Sequence, residues 1–130
     1  MNTRFSPTVL EHVARPLNMG ELPAPDAVGT SDVAEGGQFV RIQLALQGSV
    51  IADARFQTIG CAPAIACGSW LTEWVRGRTA HDALQITAHQ IMHALGGLPA
   101  DKQFCAELAI VALRRAIQAS SPLERKVLHA

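Results

Sequence analysis

From Phe39 to Ile59 apolar and polar residues take turns, and after Gly60 the apolar spacing lengthens to threes and fours. Strict alternation offers a strand one apolar face, while a three-and-four pattern offers a helix one apolar stripe. Neither surface can stay in water, so the two halves of this pattern must pack against each other. In the first run Val40, Ile42, Leu44 and Leu46 point one way, and Arg41 and Gln43 the other. Gly48-Ser49 supplies a turn, and Val50 to Ile59 alternates again, with Ala52, Ala54 and Phe56 opposite Asp53, Arg55 and Gln57. The pattern predicts an antiparallel hairpin with one solvated face.

Helices flank it. Ser6-Pro7 reads as an N-cap followed by a first-turn proline, Val9, Leu10 and Val13 as the apolar stripe, and Pro16 as the stop. Leu17 to Gly37 is rich in Gly, Pro, Asp and Ser, a long connection with room for a short strand near Val28 to Val33. Beyond the hairpin, Ala64, Cys67, Leu71, Trp74 and Val75 mark an amphipathic helix that ends near Gly77. Thr79 and Thr87 read as N-caps; Thr87 with Gln90 makes a capping box, and Gly96-Gly97 closes that helix. A last helix is predicted from about Lys102 to Ala119, with Cys105, Leu108, Ala109, Ala112, Leu113, Ala116 and Ile117 as its stripe. Pro122 ends it, and Leu123 to Ala130 forms a frayed or separately docked tail. The expected fold class is α+β: one domain over residues 1–130, a small antiparallel sheet of about three strands, and helices on one face.

Composition narrows the functions available. Eleven basic and eleven acidic side chains cancel, which argues against nucleic acid or an anionic membrane as partner. No apolar run reaches the roughly 18 residues of a spanning helix, and Met1 to Leu10 lacks an export signal. The expectation is a cytoplasmic protein. Three cysteines, an odd number, suit free thiols better than a disulfide framework.

Among those thiols Cys61 carries most information. It follows Gly60 and precedes Pro63, placing it just ahead of a helix N-terminus, where the dipole favours thiolate. Cys105 falls in the first turn of the last helix, a similar setting. Two thiols at two helix starts can converge at one end of the sheet and bind a soft metal, or each can be an ordinary buried small residue. Cys67 lies on the apolar stripe with Leu71, where core packing accounts for it. His89 and His93, one turn apart, read as a solvated helix face, because no H-E-x-x-H pattern accompanies them. No P-loop, dinucleotide fingerprint or nucleophile elbow is present, and the chain is not expected to be an enzyme.

The segment Asp53-Ala54-Arg55-Phe56-Gln57-Thr58-Ile59-Gly60-Cys61-Ala62-Pro63-Ala64-Ile65-Ala66 closely resembles the U-type iron–sulfur cluster scaffold family, the IscU family, which includes the N-terminal domain of NifU. Glu11-His12 with Pro16, Asn18 and Gly20 resembles its N-terminal motif. Leu71-Thr72-Glu73-Trp74-Val75-Arg76-Gly77-Arg78-Thr79 resembles its central helix, and Leu98-Pro99 followed by Cys105 resembles the segment with its last cysteine. The resemblance implies a scaffold on which three cysteines, an aspartate and a histidine hold a nascent 2Fe–2S or 4Fe–4S cluster. A cysteine desulfurase donates the sulfur, and the cluster passes to a client protein. Cys61 matches the second cysteine and Cys105 the third.

The departures are specific. Where the family has Cys-Gly-Asp this chain reads Gly36-Gly37-Gln38, after Glu35, and the histidine before the last cysteine is Phe104. Leu98-Pro99-Ala100-Asp101-Lys102 only partly matches the family's chaperone-recognition loop, and Cys67 is an additional thiol. A cluster or tetrahedral metal takes about four ligands, and two matched thiolates fall short of that. A homodimer in which each subunit contributes Cys61 and Cys105 restores four, with Cys67 as a further candidate ligand and zinc as a substitute for iron. Two other readings stay open: a degenerate scaffold that docks and regulates without metal, and a thiol carrier in which Cys61 accepts a persulfide or pairs with Cys105.

Overall fold

The computed structural model describes residues 4–120. Its sheet has three antiparallel strands in the order β1 (Ala27–Thr30), β2 (Phe39–Gln47) and β3 (Val50–Ile59). Around it run α1 (Pro7–Ala14), α2 (Ala62–Val75), α3 (Ala80–Ala83), α4 (Ala88–Ala94) and α5 (Phe104–Ala119). Two short 3-10 turns, Glu35–Gly37 and Ala100–Lys102, lead into β2 and α5. The three-stranded α+β expectation holds. The tail expected from Leu123 onward lies outside the described residues.

The hairpin forms as its alternation requires. Val40, Ile42 and Leu44 of β2 are fully buried, as are Ala54 and Phe56 of β3. Full burial of a ring such as Phe56 is worth about 2–3 kcal/mol before entropy is counted. Ala52, expected inward, is exposed, and Ile51 is buried instead. The cause is a β-bulge: pairing steps from Ala45↔Asp53 to Leu46↔Ile51, so Ala52 is the extra residue and the alternation changes face there. Gln43, expected in solvent, is buried because the segment after Gly20 crosses the outer face and Leu22 donates its backbone N–H to Gln43 Oε1 at 2.7 Å.

Helices α2 and α5 cover the inner face, α5 against β1 and β2 and α2 against β3, with α1 packed on α2. Small residues set the spacing. A Cβ on Gly29 would lie 2.1 Å from Ala112 O and 2.2 Å from Ala116 N, so β1 touches the backbone of α5 directly. Gly68 likewise leaves room on α2 for the Phe56 ring. Trp74 and Leu10, read as core residues, lie at the rim. Trp74 is half-buried and stacks on Trp70 at 6.1 Å between centroids, with the Arg78 guanidinium 3.9 Å from its ring centre. Leu10 is 40% exposed, since α1 buries only the side carrying Val9.

The caps follow the sequence. Ser6 accepts from Val9 N, Thr79 from Asp82 N, and Thr87 with Gln90 forms the full capping box. Among the described residues no helix is long and apolar enough to cross a membrane.

Candidate metal centre

Three elements meet at one end of the sheet. Gly60 leaves β3, and Cys61 is the N-cap residue of α2, extended at φ −96°, ψ −179°, with Pro63 in the first turn. Cys105 is the second residue of α5. The Cys61 and Cys105 sulfurs are 3.9 Å apart, though 44 residues separate them in sequence. A metal bound tetrahedrally by thiolates at about 2.3 Å sets its sulfurs about 3.8 Å apart. The pair therefore already has the bite of a chelate. Cys61 is half-buried and Cys105 fully buried, so the approach from solvent is on the Cys61 side.

Gln38 completes the edge. The pairing of Phe39 with Ile59 brings Gln38 opposite Gly60, and the Cys61 thiol donates to Gln38 Oε1 at 3.4 Å. A Cβ on Gly60 would be 2.9 Å from Ala64 Cβ and 3.2 Å from Gln38 Oε1, so glycine keeps this corner open. Gly36 and Gly37 turn the preceding loop with φ of 82° and 80°, a region that suits glycine.

Residues 4–125 match the family described as NifU-like N terminal domain. The chain belongs to it. Among relatives of the NifU-like domain is the iron-sulfur cluster assembly scaffold protein IscU 1 of Archaeoglobus fulgidus, 42% identical over 113 residues, which are 87% of this chain and 74% of that protein. The iron-sulfur cluster assembly scaffold protein IscU of Azotobacter vinelandii is 39% identical over 118 residues, 88% of this chain and 91% of its own. Among solved structures, a protein from the thermophilic Fervidobacterium islandicum superimposes with a TM-score of 0.70 at 19% identity, covering 87% of this chain and 96% of that one; this likeness bears on the fold alone.

The electrostatics of the NifU-like domain's thiols differ from the helix-start expectation. Burial pushes the Cys105 thiol up to about 12, helped by the neighbouring Cys61, against a smaller downward pull from the Lys102 ammonium. Burial in the first turn thus outweighs the helix dipole, and Cys105 is a protonated thiol near neutrality. Cys67 is fully buried in the core, and burial, then the charges of Cys105 and Cys61, push its thiol higher still. Among the described residues no three His, Cys, Asp or Glu side chains gather where they could hold a metal ion. Phe104 packs against the core, so the residue before Cys105 offers no donor. His89 and His93 are exposed, as their spacing suggested.

Gln38, which the resemblance sets at the family's aspartate, reads from its residue type alone as a common polar surface residue. The signal was there in the hairpin register, which fixes what stands opposite Gly60. His12, from the Glu11-His12 stretch that resembles the family's N-terminal motif, is a packing anchor: its Nδ1 is 2.7 Å from Ser69 Oγ, Leu17 N donates to the same hydroxyl, and burial lowers the His12 pKa.

Proposed function

We propose that this chain is an iron–sulfur cluster scaffold or carrier that holds its cargo on the Cys61 and Cys105 thiolates and passes it to a client protein. The observation that carries the reading is the 3.9 Å separation of the two sulfurs. Its relatives named as assembly scaffolds support the same direction. Two thiolates leave about half of a tetrahedral or cluster ligand set unfilled. The reading therefore includes a loaded homodimer in which each subunit contributes the pair, holding a 2Fe–2S or 4Fe–4S cluster, with a cysteine desulfurase supplying sulfur. Zinc occupies the same sulfurs when iron is absent. Cys67 joins only if the first turns of α2 open, since its thiol is closed into the core.

Cobalt(II) titration under anaerobic conditions tests the pair directly. The expected result is thiolate-to-cobalt charge-transfer absorption that either Cys61→Ser or Cys105→Ser abolishes. Reconstitution with iron and sulfide then yields coloured protein at twice the monomer mass. Absorption that survives both substitutions, or protein that stays colourless and monomeric, overturns the reading.

The exposure of Cys61 beside a second thiol favours one alternative, sulfur carriage. A donor persulfide gives its terminal sulfur to the Cys61 thiolate, leaving Cys61–S–S⁻ and the donor as a thiol. Mass spectrometry showing one added sulfur without iron distinguishes it.

A further inference from the structure

Helix α4 carries three donor side chains on one face. His89, Met92 and His93 stand at i, i+3 and i+4, positions that neighbour one another on a helix surface with Cβ atoms about 5–6 Å apart. All three line one cavity of about 550 Å³. The two imidazoles also border a second cavity of about 480 Å³, shared with Trp70, Trp74 and Ile86. The turn that carries them is fixed at both ends. Thr87 and Gln90 close its capping box, and Gly96 and Gly97 donate their backbone N–H groups to His93 O and Met92 O. Ala88, Ile91 and Leu95 anchor it in the core. A backbone held in this way presents the donors with little left to order on binding. Gln90 follows His89 where a zinc protease carries its glutamate base, and its amide oxygen is taken up by Thr87 N–H, so the arrangement can bind a metal but has no base for hydrolysis.

The donor types choose the metal. Among the described residues no carboxylate and no thiol lines either cavity, which leaves a hard cation without its oxygen ligands. Two imidazoles suit zinc, nickel and copper alike, and a thioether adds a preference for copper(I). We propose that His89, Met92 and His93 form a copper(I) site on α4, separate from the Cys61–Cys105 pair. Methionine supplies the third donor that the histidines alone lack, and the open cavity admits the ion. The site needs nothing from the thiols, so it goes beyond the carrier reading and does not rest on it.

The test is anaerobic NMR of the full chain, titrated with copper(I) supplied as its acetonitrile complex and, separately, with zinc(II). The reporters are the His89 and His93 ring nitrogens and the Met92 methyl group. Thiolates take copper(I) first, so in the unaltered chain these reporters are followed past the point where the thiol pair is filled. The Cys61→Ala, Cys105→Ala double variant removes that pair and gives a second, independent titration. The expected result is a saturable shift of all three reporters at one copper(I) per chain, with zinc(II) at least about tenfold weaker. His89→Ala and His93→Ala, both at exposed positions, each weaken copper(I) at least about tenfold, since losing even a group that only supports a ligand costs that much. Met92→Leu, which keeps the packing, weakens copper(I) and leaves zinc(II) binding as it was. No shift, imidazole shifts without the Met92 methyl, zinc(II) binding as tightly as copper(I), or undiminished binding in both histidine variants overturns the proposal. Cobalt titration of the His89→Ala chain keeps the two ideas separable, because it reads only the thiol pair.

Discussion

A thiol's surroundings decide whether it is available, and the three cysteines here occupy three different settings. Cys61 caps α2 and reaches solvent, Cys105 is buried but touches it, and Cys67 is enclosed. Metal binding must displace protons from thiols, so affinity at the pair rises with pH while Cys105, at about 12, remains protonated. Cobalt titrations at pH 6.5 and 8 are expected to show tighter binding at the higher pH, and equal affinity would contradict proton release. Cys67 belongs to the core. Cys67→Ser places a hydroxyl among apolar neighbours and is expected to cost about 1–3 kcal/mol in urea unfolding. The cobalt absorption should persist in that variant; its loss would make Cys67 a ligand.

The elements are held close by residues chosen for what they lack. Gly29 of β1 meets the backbone of α5, and Gly68 of α2 meets the Phe56 ring. Backbone cannot move aside as a side chain can, so the two substitutions differ in severity. Gly68→Ala is expected to destabilise by about 1–3 kcal/mol, and Gly29→Ala by more, to the point of lost folding, as overpacking against fixed atoms dictates. Urea midpoints of the two variants give the order, and a milder Gly29→Ala would refute it. The bulge at Ala45/Leu46 is the other decision made at this scale. Alternation in Val50 to Ile59 suggested Ala52 as a core position, yet one unpaired residue exchanged it for Ile51. Sequence alternation cannot register a bulge, because its period is counted along one strand while the bulge is defined by two.

At the scale of the molecule the buried thiols couple stability to pH. An unfolded thiol ionises near 8.5 whereas folded Cys105 ionises near 12, so the folded state binds the proton more tightly. The stability this reflects is fully present below about pH 8.5 and is lost as pH rises toward 12. The urea midpoint of the metal-free protein is therefore expected to hold between pH 7 and 8 and to fall by pH 10.5; a constant midpoint would contradict the burial of Cys105. Local periodicity, caps and turn residues determined by themselves the helices, the hairpin and the α+β class, because each depends on neighbours within a few positions. Those same residues named Cys61 and Cys105 as candidates. Only the tertiary structure decided that their sulfurs stand 3.9 Å apart, that Gln38 faces Cys61, and that burial rather than the helix dipole governs Cys105. Distance and desolvation are set by segments far apart in the chain, and no local pattern contains them.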